Sequence, residues 1–126
     1  MLKLQIMMTA TREGRQGMPV AEWFIAHAKA HGKFDIHFID LKEVALPLFD
    51  EPHHPVKQQY EHEHTKKWSA LVQQADAYAF VVPEYNHMLP PALLNAIDYL
   101  VKEWAYKPCG FVSYGGVSAG TRSVES

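Results

Sequence analysis

Three short stretches hold residue types that could grip a ligand, and none of them contains a general acid–base pair. The first is Thr9-Ala10-Thr11-Arg12-Glu13-Gly14-Arg15-Gln16-Gly17. Thr9 and Thr11 offer hydroxyl donors, while Arg12 and Arg15 offer charge and forked N–H groups suited to phosphate oxygens. A loop leading from a buried strand into a helix also aims backbone N–H groups above the sheet, which favours an anion by roughly 0.3–1 kcal/mol. The second stretch is Pro83-Glu84-Tyr85-Asn86-His87, polar and aromatic residues at a strand's carboxyl end, where open α/β sheets bind ligands. The third is Ser113-Tyr114-Gly115-Gly116, followed by Ser118-Ala119-Gly120. Its adjacent glycines let backbone approach a planar ring closely. Each stretch taken alone also reads as a solvated loop, with Glu84 a charge at a helix terminus and Tyr85 a packing residue. Together they are stronger, because at the ends of three parallel strands they converge on one crevice.

The elements that would position them alternate. Leu2 to Met8 reads as a strand, and Pro19 opens a helix to about Ala30, with Gly32 as a left-handed cap. Phe34 to Leu41 is a second strand, followed by a proline-bearing segment from Lys42 to Val56 and a helix from about Gln58 to Ala75. Tyr78-Ala79-Phe80-Val81-Val82 has the composition of a strand buried on both faces. Pro90 and Pro91 sit where a first helical turn tolerates proline, and Leu93, Ile97, Leu100 and Trp104 then form one amphipathic stripe. Pro108 to Tyr114 is a fourth strand, and Thr121 to Ser126 reads as the start of a helix. Strand alternating with helix implies a parallel sheet with right-handed crossovers. If the loop after the first strand binds phosphate, the expected order is 2-1-3-4.

At 126 residues the chain is expected to form one α/β domain. Twelve basic against fourteen acidic side chains, with no basic run, argue against a nucleic-acid partner. A single cysteine, Cys109, excludes an intrachain disulfide and a cysteine-built zinc site, and its apolar surroundings suggest an inert buried thiol. No signal-peptide pattern is present and no apolar run approaches ~18 residues, which argues against a membrane and places the chain in the cytoplasm. His53, His54, His62 and His64 lie among Asp50, Glu51, Glu61 and Glu63. On a helix His62 and His64 would point about 200° apart, so a solvated segment or subunit interface is expected rather than a metal site. Trp23, Trp68 and Trp104 read as core or dimer-packing residues, and His87 as a rim residue or a contact for a quinone or nicotinamide.

Pro83-Glu84-Tyr85-Asn86, followed by Leu94-Asn95-Ala96-Ile97-Asp98-Tyr99-Leu100, resembles the flavin-contacting loop and helix of the NADPH-dependent FMN reductase family. The similarity runs from about Leu4 to Thr121. Thr11, Arg12, Gly14 and Arg15 match that family's first loop; Thr9 stands where the family has Gly, and Ala10 where it has Ser. The resemblance implies a flavodoxin-like doubly wound sheet and an FMN-containing oxidoreductase that takes hydride from NADPH or NADH and reduces a quinone, flavin, azo compound or similar small acceptor. It further implies a homodimer or homotetramer. Thr9, Thr11, Arg12 and Arg15 would hold the phosphate, with Pro83, Glu84, Tyr85, Asn86, Ser113, Tyr114, Gly115 and Gly116 against the ring. Family members carry a further helix and edge strand beyond Thr121, so a C-terminally truncated copy is expected, with the fourth strand as an open edge. An electron carrier like flavodoxin is the alternative, opposed by Arg12, Arg15 and a net charge of only −2. A receiver-type signalling domain would need acidic residues where Thr-Ala-Thr-Arg and Pro-Glu-Tyr-Asn stand.

Overall fold

The computed structural model describes every residue from Met1 to Ser126. Four parallel strands form one sheet: β1 (Leu2–Met8), β2 (Phe34–Asp40), β3 (Ala77–Pro83) and β4 (Cys109–Tyr114), in the spatial order β2-β1-β3-β4. This is the expected flavodoxin-like order. The helices are α1 (Gly17–His31), the single turn α2 (Leu41–Val44), α3 (Glu63–Gln73), α4 (Pro91–Asp98) and α5 (Thr121–Glu125).

The two-residue period of a strand divides the central side chains between two cores. Leu4, Ile6 and Met8 of β1 join Ala79 and Val81 of β3 on the face covered by α1, where Ala21 and Ala28 let the helix sit close. Met7 of β1 joins Tyr78, Phe80 and Val82 of β3 on the other face, against Trp68 and Val72 of α3 and Leu93 and Ala96 of α4. Gln5 occupies a core position on that second face, where its Nε2 donates to the Leu71 carbonyl at 2.6 Å while its Oε1 is buried without a partner. Gly32 caps α1 at φ 73°, and Pro91 opens α4 behind the extended Pro90, both as the sequence suggests.

Several elements end elsewhere than expected, and buried carboxylates account for most of the differences. The α3 helix starts at Glu63 because Glu51, itself buried, accepts the N–H groups of Glu61 at 2.6 Å and His62 at 3.2 Å. A short 3-10 turn, Pro55–Lys57, stands before that start. The Lys42–Val56 segment also begins with α2, whose first turn is capped by Asp40 accepting from Lys42 N–H at 3.0 Å. The α4 helix stops at Asp98, so Leu100 and Trp104 belong to a chain of tight turns and not to a continuous helical stripe. Those turns carry Glu103 into the interior, where one carboxylate oxygen accepts from Gln58 at 2.9 Å, Tyr60 at 2.7 Å and Ser69 at 2.8 Å. Trp104 still packs indoors, edge-on to Tyr78 at 5.0 Å.

Three expectations about single residues need correction. Cys109 is exposed, because it opens β4, which pairs only with β3 and turns its outer side to solvent. Trp23 lies on the outer side of α1 against His27, so of the two expected roles the core one does not hold for it, whereas Trp68 is fully buried. His62 precedes α3 in extended conformation, so helical spacing does not govern it, and its ring stacks on His64 at 5.0 Å. His62 pairs with Asp50 at 3.0 Å and His53 with Glu61 at 3.5 Å.

Burial works to raise the Glu103 carboxyl, but its three donors outweigh it and hold the group below its ordinary range. A carboxylate depressed in the folded state stabilises the fold above its unfolded value of ~4.3 and loses that contribution as pH falls through the folded value. Glu103→Leu, which strands the donors, is expected to cost about 2–4 kcal/mol in urea unfolding at pH 7. Between pH 7 and pH 3 the wild type should lose more stability than Glu103→Gln; equal losses would remove Glu103 from the acid response.

Candidate flavin site

At the carboxyl ends of β1, β3 and β4 the chain encloses a crevice of about 360 Å³ lined by Arg12, Gln16, Pro83, Glu84, Tyr85, Tyr114 and Gly115. The three separated stretches therefore meet. The volume lies within the ~300–1,000 Å³ range of small-molecule sites.

One wall is the turn between β1 and α1. Thr9 closes the strand, donating from its backbone and its hydroxyl to the Val81 carbonyl at 3.2 and 2.8 Å. Beyond it, no backbone N–H from Ala10 to Gln16 makes a hydrogen bond within the chain. Ala10 is fully buried, so at least that donor cannot be satisfied by open solvent. Unpaired consecutive N–H groups at a helix entrance form an anion-binding concavity. Arg12 is exposed at the crevice, its guanidinium making only a 3.4 Å bond to the Glu13 carbonyl.

Arg15 is placed differently from the expectation. Its two terminal nitrogens grip Asp40 at 2.6 and 2.5 Å, and Nη1 also donates to the Ala10 carbonyl at 2.9 Å. Burial works to raise the Asp40 carboxyl, but Arg15 and the Lys42 N–H outweigh it and hold it below its ordinary range. Arg15 is raised in turn, chiefly by its bond to Asp40. Thr11 faces a neighbouring hollow of about 240 Å³ shared with Leu41, Lys42 and Asn95.

The second wall is the turn after β3. Tyr85 and Met88 exchange N–H···O bonds of 3.1 and 3.0 Å around Asn86 and His87, which sit at φ 52° and 63°. Two successive positive φ values define a type I′ turn, a conformation most residues resist. The Asn86 and His87 N–H groups make no bond within the chain and stand at the exposed rim. The Glu84 carboxylate is committed elsewhere: it accepts the N–H groups of Arg122 at 3.0 Å and Ser123 at 3.3 Å, at the entrance to α5. His87 meets Arg122 at 2.7 Å, so the second stretch is fastened to α5, which follows the third.

The third wall is the end of β4. The Tyr114 hydroxyl is buried without a partner and presses on Gly17, where an added Cβ would also come within 2.7 Å of the Met8 sulfur. Burial pushes the Tyr114 phenol up, and Tyr85 adds to this, while Arg12 and Arg15 pull the other way. Gly115 packs against Glu84, where a Cβ would stand 3.1 Å from the Glu84 Cβ, whereas Gly116 faces open space. Ser113 lies beneath Gly120 and outside the crevice lining; Gly120, at φ 88°, has no room for a side chain there.

Two residues at this site went unnoticed in the sequence. Gln16 lines the crevice from the loop already singled out. Asp40 pairs in register with Met8, and that alignment carries it beside the first turn; strand pairing was the signal that could have found it. Because His87 holds a left-handed conformation, His87→Gly is expected to stabilise the protein by about 1 kcal/mol, read as a higher urea midpoint. A lower midpoint would mean that the Arg122 contact outweighs the strain.

Residues 2–126 match the family model for NADPH-dependent FMN reductases. It is 38% identical over 120 residues to an NAD(P)H-dependent FMN reductase of Schizosaccharomyces pombe, an alignment covering 94% of this chain and 60% of that protein. It is 34% identical over 121 residues to another NAD(P)H-dependent FMN reductase, from Nectria sp, covering 91% and 60%. The chain thus spans about 60% of the length of these curated relatives. Among solved structures, the apo form of the NADH:FMN oxidoreductase EMOB superposes with a TM-score of 0.73 at 17% identity, over 99% of this chain and 64% of that one. The flavoenzyme FerB from Paracoccus denitrificans gives 0.72 at 20% identity, over 98% and 66%. These two likenesses establish the same fold. With the family model matched from the first strand to the last helix, the chain belongs to the NADPH-dependent FMN reductase family.

Proposed function

We propose that this chain binds FMN in the crevice above β1, β3 and β4 and serves an NAD(P)H-dependent oxidoreductase that reduces quinones, flavins or similar small acceptors. The observation that carries this reading is the meeting of three turns: one lined with unpaired N–H groups beside Arg12, one a strained type I′ turn, one a glycine pair next to Tyr114. When bound, FMN supplies the redox chemistry, with NADPH or NADH as hydride donor.

The protein's part is to bind and orient. Arg12 and the N–H groups of the first turn would hold the phosphate, while Thr11 faces the neighbouring hollow. Pro83, Tyr85, Asn86, Tyr114, Gly115 and Gly116 would hold the ring, with the free N–H groups of Asn86 and His87 at its edge. Thr9, Glu84 and Ser113 support the walls, since their side chains face the sheet, α5 and Gly120. The buried, unpartnered Tyr114 hydroxyl and the unpaired N–H run are the features that a bound anion and ring would satisfy, and on that ground the residues present fit the cofactor. None of these groups pairs as general acid and base, as suits a reaction whose chemistry resides in cofactors.

A cytoplasmic homodimer or homotetramer is part of the proposal. The large apolar side chains Leu48 and Leu94, 82% and 46% exposed beside α4, support an interface there. No helix is long and apolar enough to cross a membrane. With FMN and NADPH added to purified protein, quinone-dependent NADPH oxidation is expected above the rate of free FMN. Absence of both flavin retention and turnover would refute the reading, and a stabilised one-electron form during reductive titration without NADPH oxidation would favour the carrier alternative.

A further inference from the structure

We infer that Asp40 is a positioning residue for phosphate binding: it clamps Arg15 so that Arg15 shapes the β1–α1 turn, and Arg12 is left as the cation that meets the ligand. The inference rests on the proposed FMN site and assigns its two arginines opposite duties. Arg15 is nearly enclosed, with 15% of its side chain exposed against 5% for Asp40. Both terminal nitrogens are engaged in the bidentate pair, and the same guanidinium reaches back to the Ala10 carbonyl. One side chain therefore fastens residue 10 to residue 15, and both to the end of β2. A second tie runs from Glu13 to Lys42 at 2.7 Å.

Asp40 has a further commitment, to the Lys42 N–H at the start of α2. If Arg15 swung toward a phosphate, Asp40 would remain as a buried carboxylate without its counter-ion, the costly way to break such a pair. Arg12 bears no such cost, since it is exposed, has no carboxylate partner and lines the crevice. A bidentate Arg–carboxylate pair is also geometrically demanding, which suits a device that holds N–H groups in a fixed array.

The test is the ratio of FMN to riboflavin affinity, which isolates the phosphate, measured by flavin fluorescence titration. Arg12→Ala should weaken FMN about tenfold or more while leaving riboflavin unchanged. Asp40→Asn should weaken FMN about threefold to tenfold, again with little change for riboflavin, and Asp40→Glu should recover most of the loss. A merely structural role would lower both affinities together. Tighter FMN binding by Asp40→Asn would show that the freed Arg15 is itself a phosphate ligand and would overturn the inference, as would an unchanged ratio. Should Asp40→Asn not fold, Arg15→Lys serves instead: it keeps the charge but cannot span Asp40 and Ala10, so its ratio should also fall, and a wild-type ratio would overturn the inference. Wild-type protein that binds neither flavin overturns the site reading and this inference with it; wild-type binding with any contrary variant result overturns the clamp alone.

Discussion

The backbone N–H groups from Ala10 to Gln16 leave the sheet without finding an acceptor in the chain, and the rest of the site depends on their being held that way. A buried, unpaired backbone donor costs about 1–3 kcal/mol. Of this run only Ala10 is fully buried and bears that cost, while Thr11 to Gly14 and Gln16 are exposed to water. Here the surroundings are rigid. β1 and β3 are buried on both faces, Thr9 seals the end of β1 to β3, and Gly17 lets α1 begin hard against Met8 and Tyr114. The sheet is thus the device that brings three turns to one level, and the turns need no common sequence to share a site.

The irregular segments are fastened by a repeated physical means. Asp40 accepts an N–H at α2, Glu51 two at α3, and Glu84 two at α5. A carboxylate at a helix entrance satisfies donors that the helix cannot, and it faces the favourable end of the helix dipole. For Glu84 this has a functional consequence. Its side chain binds α5 to the second turn, so its backbone can border the crevice while its charge stays directed away from it. Glu103 plays a comparable part from within, drawing Gln58, Tyr60 and Ser69 to one oxygen at the far side of the β3 core.

Much of this was legible in the residues themselves. The strand order, the positions of the four strands, the Gly32 cap and the proline start of α4 followed from local pattern, because burial on both faces and fixed backbone angles leave clear signatures. The meeting of Arg12, Tyr85 and Gly115 followed from topology. What the sequence hid were long-range polar choices. Nothing local says that Arg15 prefers Asp40 to a ligand, that Glu51 delays α3, or that Glu103 turns inward and ends the α4 stripe early. Cys109 read as buried because apolar neighbours mark a strand without telling which of its sides is covered. His62 escaped helical geometry because the residue lies one step outside the helix, where spacing arguments stop.

The central claim is that three separate turns form one binding surface. Backbone hydrogen exchange of the purified protein, with and without saturating FMN, tests it most directly. Protection is expected to rise together in residues 10–16, 86–87 and 115–116, the groups now without partners, and to stay unchanged at the opposite end of the sheet near Tyr78. Protection confined to a single turn, or appearing at Tyr78 instead, would contradict it.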